Sequence, residues 1–214
     1  LGTGELTLNS TGAITQGSGD TIIAGGLSLL GSGTVTLSES ANEVDVLAGN
    51  RNGNVTYRDA DGIDIGTVAG TAGLSVTGTL NLTAGGSITD SQALTITGDS
   101  TFTVTNGSSI TLNSAANNFG GTLMFNASSG TIANVTIVDT TAVDLQALTL
   151  SANLSVTAGG PITDSGALVV TGTTTVAAGA GNDITLDTAT NNFSTIGITS
   201  GNNVTLVDTN GMDL

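Results

Sequence analysis

The sequence predicts an all-β chain wound as a right-handed parallel β-helix, a β-solenoid, on three observations. Apolar and polar residues alternate at period two in many short phrases. The same phrases return in the same order about every 74 residues. No stretch sustains a 3.6-residue period over ten residues, so essentially no helix is expected.

The repeat shows first in "LNSTGAITQGSGD" (8–20), "LTAGGSITDSQAL" (82–94) and "VTAGGPITDSGAL" (156–168). Next come "TLSESANEV" (36–44), "TLNSAANNF" (111–119) and "TLDTATNNF" (185–193). The last set is "NVTYRDADGIDI" (54–65), "NVTIVDTTAVDL" (134–145) and "NVTLVDTNGMDL" (203–214). Residues 1–214 therefore read as one solenoid segment with units of about 6–79, 80–153 and 154–214, the last incomplete. The copies differ in length between the phrases: Phe119 to Asn134 is five residues longer than Val44 to Asn54, and Ile65 to Leu80 is six longer than Leu145 to Leu154. Insertions of that kind belong in loops.

Within the phrases, Leu80 and Leu82, Leu94 and Ile96, Phe102 and Val104, Ile110 and Leu112, and Val135 and Ile137 are separated by polar residues. Such alternation, bounded by Gly, Asn, Asp and Ser, reads as half-buried strands. Pro161, the one proline, aligns with Ser87 and Ala13 after a glycine pair, at a turn where a missing N–H costs little. A 74-residue period has no purpose in a sandwich, whereas stacked coils bury each apolar face on the next. Six or seven strands per unit suggest three coils of roughly 25 residues each, about nine coils in all, on the order of 43 Å long.

Some polar residues recur as well. Asn42, Asn117 and Asn191 hold one position; Asp59, Asp139 and Asp208 a second; Asp64, Asp144 and Asp213 a third. Asparagine suits turns, where it bonds nearby main chain and tolerates left-handed backbone. Three coils between copies would keep the aspartates from stacking on one another. Phe119 and Phe193 align with Val44 and are expected in the core.

Composition removes several functions. The chain has 17 Asp and Glu against two arginines, Arg51 and Arg58, giving a formal charge of −15, with no Lys, His or Cys. Nucleic acid and anionic membrane surfaces both need clusters of Lys and Arg, which two arginines do not supply. Thiol chemistry and zinc–cysteine sites are impossible, no run of 18 apolar residues is present to span a bilayer, and the opening residues do not read as a charged-then-apolar leader. Leu, Ile and Val recur too regularly for a disordered chain.

Candidate chemistry is sparse. In "YRDADGID", Tyr57, Arg58, Asp59, Asp61 and Asp64 gather, with Asp59 and Asp61 on one side of a strand and close enough to perturb each other. Arg58 and Asp61 have no counterparts in the other copies, so a solvated face with a local Arg–Asp pair is the expectation. "GAGNDITL" (179–186) has the look of a calcium-binding glycine-rich nonapeptide but occurs once, and "DADGID" falls short of an EF-hand loop. Thr-x-Thr at "STFTVT" (100–105) and "TGTTTV" (171–176) is found in only some phrases, which argues against a continuous ice-binding threonine array. The repeated Asn-x-Ser/Thr, as at Asn81, Asn134, Asn153 and Asn203, reads as composition. No catalytic, cofactor-binding or metal-binding residue is assigned, and no cofactor is expected; calcium remains the one weak candidate.

"LTAGGSITDSQALTITGDSTF", "TLDTATNNF" and "NVTLVDTNGMDL" resemble the repeat region of filamentous-haemagglutinin-like exoproteins and the related autotransporter adhesins of bacteria. The resemblance covers nearly the whole chain. It implies a right-handed parallel β-helix, export across an outer membrane to the cell surface or medium, and service as an extended adhesin shaft. Both ends lie in ordinary repeat text, so a window of a longer chain is expected. The first functional expectation is thus a non-catalytic shaft segment that contacts neighbouring repeats, with the receptor unspecified and no nucleic acid or membrane insertion. The alternative is a self-assembling filament subunit whose coil ends pair head to tail. A carbohydrate-active β-helix is a third reading, with Asp59 or Asp61 as its acid.

Overall fold

The computed structural model describes residues 2–213, and the chain is a parallel β-solenoid of about ten turns with no helix among those residues. Its strands are short, most of them two to six residues, and form a 14-stranded and a 10-stranded sheet. Among the described residues every strand pairing is parallel except one antiparallel hairpin, Thr67–Val68 with Thr71–Ala72. The smaller sheet is a single uninterrupted ladder from Ile14–Thr15 to Val204–Leu206.

Alternation puts the predicted apolar residues inside. Leu80, Leu82, Leu94, Ile96, Phe102, Val104, Ile110, Leu112, Val135 and Ile137 are all buried, as are Val44, Phe119 and Phe193. Midway along the rod Phe102 stacks on Phe125 at 6.1 Å and meets Phe119 edge-on at 6.0 Å.

The coil is tighter than the sequence suggests, at about 21 residues. Pairing runs from Glu5–Ser10 through Ile23–Ser32, Glu43–Asn52, Ile63–Ile65, Ile88–Asp90, Ile110–Leu112 and Val135–Asp139 to Leu154–Ala158. These seven steps carry the first copy of the opening phrase to its third, two 74-residue repeats later. One repeat is therefore about three and a half coils, and successive copies land on different sides of the rod. Glu5–Ser10 and Leu154–Ala158 lie in the larger sheet, whereas their middle counterpart Leu80–Ala84 lies in the smaller one. Ile14–Thr15, Ile88–Asp90 and Ile162–Asp164 alternate in the opposite sense.

The extra residues between Ile65 and Leu80 form the antiparallel hairpin. It folds back on the outside of the first coils: Val68 is buried over Gly26, and the Ala69 N–H donates to Glu5 Oε2 at 3.0 Å.

Candidate functional site

Three recurring side chains make a polar column in each repeat, fully buried at the asparagine. Asn117 is fully buried; its Oδ1 accepts from the Leu94 N–H at 2.7 Å and its Nδ2 donates to Asp90 Oδ2 at 2.6 Å. Asn191 does the same with the Leu168 N–H (2.9 Å) and Asp164 Oδ2 (2.6 Å). Asn42 takes the Ile22 N–H at 2.9 Å and exchanges two bonds with Gln16, at 2.6 and 3.1 Å. The asparagines thus bond chiefly across coils. Their partners Gln16, Asp90 and Asp164 also stand 74 residues apart, and parity with Ile14, Ile88 and Ile162 is the local sign that they turn inward.

The next coil supplies a carboxylate in all three repeats. Asp59 accepts the Val44 N–H at 3.0 Å, Asp208 the Phe193 N–H at 2.8 Å, and Asp139 the Phe119 N–H at a longer 3.5 Å. Asp59, Asp90 and Asp139 are only 1%, 8% and 3% exposed. Burial is the main cause that raises all three carboxyls above their ordinary value, Asp59 to about 6.

The "YRDADGID" cluster is therefore not the solvated face the sequence suggests. Val55, Tyr57 and Asp59 point inward, and the Tyr57 hydroxyl donates to Asp59 Oδ2 at 2.8 Å. Burial first, and the Asp59 carboxylate second, hold the phenol protonated well beyond its usual range. Arg58 is exposed on the opposite side of the strand. Asp61 acts on Asp59 in both directions: its N–H, the larger effect, lowers the carboxyl, and its side chain raises it. The lone pairs of Asp59 go to the Val44 and Asp61 N–H groups and to Tyr57.

Asp64 and Asp144 face outward. Asp64 accepts from Thr89 (2.9 Å) and Ser91 (2.5 Å), and Asp144 from Thr163 (2.9 Å) and Ser165 (2.6 Å). Asp213 lies in an isolated bridge with Thr195. In "GAGNDITL", Asn182 bonds the Ala178 and Gly159 carbonyls, and Asp183 accepts from Asn202 and Asn203, which hold it below the usual carboxylate range. Among the described residues no group of three or more His, Cys, Asp or Glu comes close enough to hold a metal ion.

Outward polar side chains, nearly all hydroxyls, form columns that the phrases alone do not reveal. Register aligns Thr15, Thr36, Thr56, Asn81 and Thr101 on one side, and Thr89, Thr111, Thr136, Ser155 and Thr175 on another. The break in the threonine pattern read from the sequence is thus an effect of reading phrases instead of coils. The columns remain narrower than the Thr-x-Thr array that the ice-binding reading requires.

Arg51 is the residue that the sequence hides most completely. It is fully buried, directly above Gly31 in register. Its Nε donates to the Gly33 carbonyl (2.9 Å), and its Nη atoms to the carbonyls of Ser10 (2.8 Å), Gly12 (2.6 Å) and Leu30. Gly31 has φ +95°, and a Cβ there would meet the Ser10 oxygen at 2.2 Å, so glycine is required beneath the guanidinium.

Fold and interior together define a repeat protein: a β-solenoid whose coils are pinned by a polar column inside an aliphatic core. The model of a family described as repeats of unknown function (DUF5649) matches residues 1–48, 52–126 and 132–200, and the chain belongs to that family. Arg51 falls between two matched stretches, and the second gap falls within the insertion between Phe119 and Asn134. No curated protein and no solved structure matches the chain.

Proposed function

We propose that this segment is a non-catalytic length of shaft in a bacterial adhesin or exoprotein that is secreted or displayed at the cell surface. The observation that carries this reading is the unbroken parallel ladder of the smaller sheet, which runs the length of the solenoid. Main-chain hydrogen bonds lie along the rod axis, apolar side chains fill the interior, and acidic and hydroxyl side chains keep the surface wet. The class of parent protein rests on the resemblance of its phrases to haemagglutinin-like repeats. Asp59, the acid that a glycoside-cleaving reading would use, is turned inward with its oxygens already engaged, which supports a role without catalysis. Its partners in this role are neighbouring repeats of the same chain or other copies end to end.

The test is a reach experiment. The segment is placed between a cell-surface anchor and a terminal binding module, and adhesion to a spaced target is measured. Deleting the segment should abolish adhesion, and an unrelated solenoid of equal length should restore it. Failure of the substitute to restore adhesion would show that this segment contributes binding of its own and would overturn the reading.

A further inference from the structure

We propose that the buried acid columns make this rod more stable in mildly acidic surroundings than at neutral pH, with the coils around Asp59, Asp90 and Asp139 loosening first as the medium becomes neutral. The geometry is that of carboxylates placed where no cation among the described residues meets them. Asp59, Asp90 and Asp139 are buried inside the coil stack, and their direct partners are backbone N–H groups, amides and hydroxyls.

The charged groups around them are nearly all acids. Tyr57 and Asp61 face Asp59; Asp64 acts on Asp90 across the coil; Asp99 and Asp144 line the same 360 Å³ groove as Asp139. Arg58 lines a groove with Asp59, but its side chain lies on the solvent side of the strand. At neutral pH the folded chain therefore holds negative charge in a poorly solvated interior.

The linkage follows in sign. Burial raises these carboxyls above their value in an unfolded chain, so the folded state binds protons more tightly. Their contribution to stability is complete below the unfolded value near 3.8, and for Asp59 it is lost as the pH rises through about 6. Asp183 is shifted the other way by its asparagine partners, so its contribution is lost only at pH below its depressed value, outside this window.

The experiment is thermal unfolding of the chain between pH 4.5 and 8 in 1 M NaCl, which screens its surface charge. The midpoint should rise by roughly 5 °C from pH 7.5 to pH 5. In Asp59→Asn, and in Asp139→Asn, the rise should shrink while the chain stays folded at both pH values. Hydrogen exchange on the unaltered protein gives an independent reading: the Val44 and Phe119 amides, which donate to these carboxylates, should exchange more slowly at pH 5 after correction for the intrinsic rate. A midpoint that is flat or falls towards acid would overturn the proposal. So would a rise that persists undiminished in both variants, since it would then come from the surface.

Discussion

At the scale of single residues, the interior of this rod is decided by a few polar side chains whose bonds cross between coils. Arg51 binds carbonyls contributed by two earlier coils from a fully buried position. Arg51→Met keeps much of the stem but leaves those oxygens without their donor, so the unfolding free energy in urea should fall by about 2–3 kcal/mol. No loss would mean that the cost of burying the guanidinium offsets its bonds. Thr174 is the converse case: its hydroxyl is buried with no hydrogen-bond partner among the described residues, in a column between Leu154 and Ile196. Thr174→Val should raise stability by about 1 kcal/mol, and a loss of stability would show that the hydroxyl has a partner after all. Thr174 shares parity with Val176 and could be placed from local pattern, whereas Arg51 could not. "NRNG" gives no sign that Arg51 turns inward; the sign is Gly31, twenty residues earlier, and it has meaning only once the register is known. Asp59 was legible, because Val55, Tyr57 and Asp59 share parity, but its charge favours a surface reading when parity is not given priority.

At the scale of elements, the strands follow the alternation closely, while the coil does not follow the repeat. A self-similarity of 74 residues fixes which strands are alike, but not how many residues make a turn. With about 21 residues per coil, like strands fall on alternate sides of the rod, and the strands that meet come from different phrases of the repeat. That is why the pairing of Asp90 with Asn117, 27 residues apart, was out of reach while the recurrence of Asn117 was plain. Each strand still depends on its inward residues. Ile162, in the strand Ile162–Asp164, is fully buried beside Val143 and Ile184 in register. Ile162→Asp puts an unpaired charge into that stack and should cost about 4 kcal/mol or more. An unchanged melting temperature would contradict the inward placement of this strand. The insertion between Ile65 and Leu80 was legible as a loop, but not as a hairpin laid back over earlier coils, because its anchor, Gly26, lies some forty residues upstream.

At the scale of the molecule, stability is a sum of coils and contacts between adjacent coils, so length can change without a change of cross-section. About ten turns at the usual strand spacing give a rod of roughly 48 Å. Because two repeats make seven coils, insertion of a further pair returns every strand to its own side of the rod. The most direct measurement is small-angle X-ray scattering on this chain, and on a version with residues 8–155 duplicated in tandem, over a wide concentration range. The longest dimension should grow by roughly 34 Å at a constant cross-sectional radius, independently of concentration. A thicker cross-section or a compact profile would contradict the solenoid shaft, and growth in length with concentration would show that the coil ends pair into filaments instead.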